Sequence, residues 1–424
     1  MLDQLIERVR DGLSRVSDHR KENRSYPMVD CLMAGFAMFA LKAPSLLSFR
    51  QQYPHSQDNM KRVFGLSQLC GDTAFRSCLD EVRPESVEQQ LAIPLTEVRQ
   101  RGGLDSRKVL GNYLSVTIDA TGYFGSSKVS CPHCLVKNFK DGSCQYHHQV
   151  LAGVNVHPDQ STVFPVSVEA IMNEDGHKKN DCEINAAKRL LPKIKTALPN
   201  DDLLLTMDGL YTTGPMIRLL KANDMRFCMT IKEGYVLIQK KALDKKGLLK
   251  VTRRNTKKSK VIIKWTNGLI LNGVNQDLLV NYIELEEKDK LTGEIIYRSA
   301  WITDIPVDKQ NVEEISKVGR SRWKIENETF NTLKNQGYNV EHNYGHGKKY
   351  LSTVFVMLAF LAFSVDQVAQ HFDNSFQTAW KTCKSKRALW EKLRQVFDLL
   401  PAKSLEAIYR FIAKGQPIDY PLLV

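Results

Sequence analysis

The sequence predicts an α/β protein: a mixed sheet flanked by helices, interrupted by a β-rich insertion, with a helical N-terminal domain and a helical C-terminal region. Three observations predict it. From about residue 108, three strand-like runs precede alternating helix-like and strand-like runs. A basic stretch with hairpin turns then breaks the alternation. Apolar runs with helical spacing lie on either side.

Residues 1–105 read as mostly helical. Ala34 to Leu41 is apolar and is punctuated by Pro44 and Ser45. Phe75, Cys78, Leu79 and Val82 fall near one helical face, which Pro84 ends. Val109 to Ile118 includes alternating apolar residues and is expected to be a strand ending at Asp119. His148 to Val156 and Val163 to Ile171 are two further strands, separated by Pro158 and Asp159. Asp181 is expected to cap a helix through Ile184, Ala187, Leu190, Leu191 and Ile194. Leu203 to Met207 is a continuous apolar run, the mark of a strand buried on both faces, and it stops at Asp208. A helix over Pro215 to Ala222 and a strand over Phe227 to Ile231 complete the first part. Three strands, then helix, strand, helix, strand, is the order of the RNase H-like fold.

Between residues 232 and 305 the pattern changes. Lys232 to Lys264 holds twelve Lys or Arg and two acids, an excess of +10 in 33 residues. Strand-like runs follow at Val261 to Trp265, Leu278 to Leu285 and Ile295 to Ile302, separated by turns at Asn267-Gly268, Asn272-Gly273 and Thr292-Gly293. A β-rich insertion with one basic rim fits this pattern, and its Arg253, Arg254, Lys257 and Lys258 are candidate phosphate contacts. A helix is expected from Val312 to Asn335, then an apolar helix from Leu351 to Val365, then mixed-charge helices. The expected divisions are 1–105 (helical), 106–231 and 306–370 (two parts of one α/β core), 232–305 (insertion) and 371–424 (C-terminal helices).

Composition narrows the function. The net charge of +13 points to nucleic acid, although a membrane-surface protein could carry the same balance. Met1 to Arg20 lacks the apolar core of a secretory signal, and the apolar runs Met28 to Leu41 and Leu351 to Val365 fall short of a membrane span. Nine cysteines without regular spacing argue against a disulfide framework, so a reducing, cytoplasmic setting is expected.

Asp119 and Asp208 each close a predicted strand, and those two strands neighbour each other in an RNase H-like sheet. Two carboxylates would then meet, as Mg²⁺ requires of its hard ligands. A third acid should come from a helix beside the sheet. Residues 319–338, GRSRWKIENETFNTLKNQGY, carry Glu326 and Glu328, which point about 200° apart on a helix and cannot both face the Asp pair.

With these residues in place, the chain resembles DDE-type insertion-sequence transposases. The resemblance is carried by Ile118 to Gly122 (ID-x-T-G), Met207 to Gly209 (MDG) and Arg322 to Asn327 (R-W-x-I-E-N), and it spans residues 105–365. The nearest group has a Tyr-Arg-Glu-Lys signature and a β-rich insertion before the Glu helix. Three residues separate Arg322 from Glu326, which selects Glu326 over Glu328. Two positions depart from the signature: Gly319 stands where Tyr is expected, and seven residues rather than six separate Glu326 from Lys334.

The resemblance implies Asp119, Asp208 and Glu326 as catalytic ligands of two Mg²⁺ or Mn²⁺ ions, with Arg322 and Lys334 gripping DNA phosphates. It further implies nicking at transposon ends, attack of the freed 3′-hydroxyl on another strand, and a homodimer within a synaptic complex. A stand-alone nuclease on the same fold, or a domesticated DNA-binding protein, is the competing expectation. His342, in the segment Gly337 to Gly347, is expected near the site.

One further cluster lies between the first two predicted strands. Cys131 and Cys134, followed by Cys144 and His147 or His148, make a tetrahedral zinc set of the Cys-x₂-Cys type. His147 and His148 would face opposite ways in a strand, so one of them at most binds. His147, in the spacing Cys-x₂-His, is a candidate fourth ligand beside Cys131, Cys134 and Cys144, with His148 as the alternative.

Overall fold

A computed structural model describes residues 1–21, 25–173, 181–231, 234–342 and 344–415. Six helices come first: α1 (Leu2–Ser14), α2 (Met28–Ala40), α3 (Leu46–Phe64), α4 (Asp72–Asp80), α5 (Pro84–Glu88) and α6 (Ala92–Gln100). The strands follow, as β1 (Lys108–Val109), β2 (Tyr113–Ser126), β3 (Leu135–Asn138), β4 (Cys144–His157) and β5 (Gln160–Ile171). Next come α7 (Glu183–Ala197), β6 (Asp202–Met207), α8 (Gly214–Ala222) and β7 (Met225–Thr230). The order β5-β4-β2-β6-β7, antiparallel among the first three and parallel from β2 through β6 to β7, is that of an RNase H-like sheet. β6 is buried from Leu203 to Met207, with Thr206 the one polar residue in an otherwise apolar run.

The first strand differs from the sequence expectation. Leu110 (φ 50°) and Gly111 (φ 87°) turn the chain back on itself, so only a two-residue β1 precedes the turn. β2 then starts at Tyr113 and continues seven residues beyond Asp119, paired with β4. The helix after β5 also starts differently: Cys182, not Asp181, is its N-cap residue, and Asp181 instead accepts from Arg189.

The insertion is part of the sheet. After α9 (Tyr235–Lys245), a helix that the sequence pattern does not announce, come β8 (Lys250–Asn255), β9 (Ser259–Ile270), β10 (Leu279–Asp289) and β11 (Ile295–Thr303). β11 pairs antiparallel with β7, Ile302 opposite Met229, and β10, β9 and β8 follow outward. β7 would otherwise present a row of unpaired backbone groups, and β11 satisfies them.

The expected helix over Val312–Asn335 is broken. α10 (Val312–Arg320) ends at a turn, a π-helical segment occupies Ile325–Phe330, and α11 (Asn331–Asn335) completes it. The apolar α12 (Leu351–Phe372) is seven residues longer than expected. By length and composition it could cross a membrane, yet 94% of its apolar window is buried within the protein. It packs against α2 and β5, so the N-terminal helices and the sheet share one core. Each of its buried Leu and Phe side chains stabilises the fold by roughly 1.5–3 kcal/mol. α13 (Asn374–Cys383), α14 (Lys386–Leu399) and α15 (Leu405–Lys414) close the chain around α1 and α3.

Candidate active site

The parallel pairing of β2 with β6 ends at Thr117 opposite Thr206, whose buried hydroxyls hydrogen-bond to each other at 2.6 Å. Two residues further along each strand stand Asp119 and Asp208. Side chains repeat faces every second residue, so both carboxylates emerge on the face of that threonine pair. β6 stops here because Asp208 caps a single 3₁₀ turn, its Oδ1 accepting from the Leu210 amide at 2.7 Å. Asp119 is held by its own strand and by an arginine: Oδ1 accepts from the Ala120 amide at 2.9 Å and Oδ2 from Arg322 Nη1 at 3.0 Å.

Arg322 also reaches Glu326 Oε1 through Nη2 at 2.9 Å. One guanidinium thus bridges an acid of the sheet and an acid of the helix. Burial is the main cause that pushes the Asp119 carboxyl up to about 6; Arg322 works against the rise, and the charges of Glu326 and Asp208 add to it. Asp119 therefore lies within electrostatic reach of both other acids. Glu328 does not join them. Its charge acts on Lys324 and Lys386 instead, as its opposite direction on the helix predicts.

Sequence reasoning missed the groups that fix this helix. Lys324 Nζ donates to the carbonyls of His157, Pro158 and Gln160 at 2.6–2.8 Å, fastening the Glu326 segment to the β4–β5 turn. Beside it, fully buried Arg107 binds Asn155, Gln160 and Thr162. Tyr211 lies buried close to the acids; burial foremost, then the charges of Glu183, Asp119 and Asp208, raises its phenol. A basic residue two positions before a Glu is too common a pattern to have singled out Lys324 beforehand.

Other acids have structural partners. Glu169 pairs with Arg189 and Lys193, and Asp304 with Arg226. Gly319 abuts the Trp301 indole: a Cβ there would sit 2.8 Å from it, which leaves no room for a tyrosine. Lys334 forms an ion pair with Glu341 at 2.8 Å, beside an open cleft of about 400 Å³ along Gly122–Gly125 and the facing side chains of β4. The imidazole of His342 packs edge-on against Tyr344. Arg253, Arg254, Lys257 and Lys258 are exposed on the outermost strand and its turn. Five strand spacings separate that strand from β6, about 24 Å across the sheet.

The Cys/His cluster differs from the expected set. Cys131 and Cys134 meet His148 and His346, with all four ligand atoms within 4.8 Å of one another. Cys144 is four residues before His148 on β4, about 13 Å away along an extended strand, and His147 points to the opposite face, into the cleft beside Lys334. His346 is 212 residues beyond Cys134, where no spacing rule could have found it.

Residues 140–363, just over half of the chain, match the family model described as a transposase DDE domain. The match contains Asp208 and Glu326 and begins beyond Asp119. No curated protein matches the chain.

Proposed function

The chain belongs to the transposase DDE-domain family and is a metal-dependent DNA transposase, and on that premise we propose that Asp119, Asp208 and Glu326 are its catalytic carboxylates. The observation that carries this is the Arg322 bridge. Asp119 within β2 feels the charges of Asp208, which closes β6, and of Glu326 on the helical segment, and a side-chain cation already spans two of the three. Three such carboxylates would suit a hard divalent ion, Mg²⁺ or Mn²⁺, and a pair of such ions fits the chemistry of phosphodiester cleavage. Bound there, the ions would lower the barrier to attack on the phosphodiester and stabilise the leaving oxygen.

The chain's own residues do the rest. Asp208 keeps one oxygen on the Leu210 amide and offers the other outward. Arg322 holds Asp119 and Glu326 together, and it is free to turn towards a DNA phosphate once the acids have other partners. Lys324 keeps the Glu326 segment seated on the sheet. The π-helical turn takes up one residue more than an α-helical turn, so the seven-residue gap to Lys334 accommodates the expected register. Lys334, together with Lys137 along the cleft, would contact the backbone of the strand being cut. The exposed Arg253, Arg254, Lys257 and Lys258 would grip the duplex farther out. The N-terminal helices are the candidate readers of the element's ends, within a dimer that pairs two ends.

The test is cleavage and joining of labelled DNA carrying the ends of the encoding element, with Mg²⁺ or Mn²⁺. Asp119→Asn, Asp208→Asn and Glu326→Gln should abolish both steps, while Glu328→Gln keeps them. An active Glu326→Gln beside an inactive Glu328→Gln would overturn the assignment of the third acid.

A further inference from the structure

We propose that Cys131, Cys134, His148 and His346 bind one structural zinc ion, which pins the segment following the Glu326 helix to the β2–β4 hairpin.

The distances fit one tetrahedral ion. With Zn–S of about 2.3 Å and Zn–N of about 2.0–2.1 Å, a regular tetrahedron has S···S edges of about 3.8 Å and S···N edges of about 3.6 Å. The cluster has Cys131 Sγ to Cys134 Sγ at 3.7 Å and Cys131 Sγ to His148 Nε2 at 3.5 Å. Cys134 Sγ stands 3.3 Å from His148 Nε2 and 3.6 Å from His346 Nε2. A disulfide would need its sulfurs at about 2.05 Å. A two-iron cluster would need the cysteines and histidines parted onto separate metals, and they converge on one point.

The chemistry fits too. Two thiolates and two neutral imidazoles leave a zinc ion with no net charge, which suits a buried position. Cys134, His148 and His346 are buried. Phe124 lies 4.2 Å from the His346 ring, and Tyr123 stacks on His148 at 5.7 Å. Soft sulfur ligands disfavour Mg²⁺, so this position is chemically distinct from the carboxylate site. Four protein donors leave no open coordination position, the pattern of a structural ion.

Local structure prepares the ligands. The Cys134 amide donates to the Cys131 carbonyl at 3.1 Å, closing the Cys-Pro-His-Cys turn. Gly345 and Gly347 flank His346 at φ 142° and 74°, conformations that bring the backbone around the imidazole. Asp80 accepts from the amides of Lys348, Lys349 and Leu351, holding the far side of the same loop. The ion would hold its near side, and with it the chain leaving the segment that carries Glu326 and Lys334.

Zinc analysis of the purified full chain should find one ion per chain. Cys134→Ser and His346→Ala should lose it, while Cys144→Ser and His147→Ala retain it. Cobalt substitution should give the visible bands of a tetrahedral two-sulfur, two-nitrogen site. His346→Cys should still bind and shift those bands towards a three-sulfur site, a result that decides the matter even if the first two variants fail to fold. A wild-type chain that carries no zinc and takes up no cobalt would overturn the proposal. So would iron with labile sulfide, or loss of zinc on replacing Cys144 or His147.

Discussion

Replacing Asp119 by Asn should stabilise the metal-free protein at neutral pH while removing its response to magnesium. The free Asp119 carboxyl has an ordinary value of 3.8 and is raised to about 6 in the fold, chiefly by burial. A group raised on folding contributes stability that is complete below its unfolded value and is lost as pH rises through its folded value. Between pH 3.8 and about 6 the ionised carboxylate therefore becomes a liability. The difference of roughly two units corresponds to about 3 kcal/mol at pH 8 and to a few tenths near pH 4. The missing hydrogen bond to Arg322 offsets part of this, since Arg322 keeps Glu326 as a partner. At about 1 °C per kcal/mol for a chain of this size, from about 2.1 cal/mol/K per residue, Asp119→Asn should melt up to about 3 °C above wild type at pH 8 and nearly with it at pH 4. Magnesium at ten times its dissociation constant should raise the wild-type stability by about 1.4 kcal/mol, and its melting midpoint with it, and leave Asp119→Asn unmoved. Calorimetric scans at the two pH values, with and without Mg²⁺, measure both effects. An Asn variant destabilised equally at pH 4 and pH 8, or one that keeps the magnesium shift, would refute the reasoning.

Gly319→Ala should destabilise the chain by about 1–3 kcal/mol, because the added Cβ would meet the buried Trp301 indole at 2.8 Å; a urea midpoint equal to wild type would show that the helix can shift away. Asp366→Asn should cost about 3–5 kcal/mol, since it strands fully buried Lys42, whose Nζ lies 4.0 Å from the Trp390 ring. Lys42→Met, which removes the charge itself, should cost less in the same unfolding titration. Alanine at Arg253, Lys257 and Lys258 should reduce the slope of log affinity against log salt by about 0.9 for each phosphate the variant no longer neutralises. An unchanged slope in an equilibrium DNA-binding titration would place the duplex elsewhere.

Much of this protein is written in short-range pattern. The run Leu203 to Met207, apolar but for Thr206, reads as a strand buried on both faces, and Asp208 marks its end. Val163 to Ile171, Pro215 to Ala222 and Phe227 to Ile231 each carry a period and a boundary residue that act locally, so they appear in the fold within a few residues of their expected limits. The separation of Glu326 from Glu328 follows from helical geometry and needs no partner to be known. The departures have equally physical reasons. β2 runs past Asp119 because β4 pairs with it there, and nothing in the strand itself announces that partner. The insertion became sheet because the edge of β7 needed backbone partners that β11 could supply. The Glu326 helix breaks and widens where Gly319 meets Trp301 and Lys324 is tied to three carbonyls, interactions that join segments far apart in the chain. Cys131 and Cys134 were legible as a metal-binding pair with His147 or His148 beside them; strand pleating decides for His148, and only chain folding brings His346 to them. Propensity and periodicity act over a few residues and can be read from the sequence. The meeting of Asp119 with Arg322, like that of Cys131, Cys134, His148 and His346, depends on which surfaces bury one another, and only the folded chain decides that.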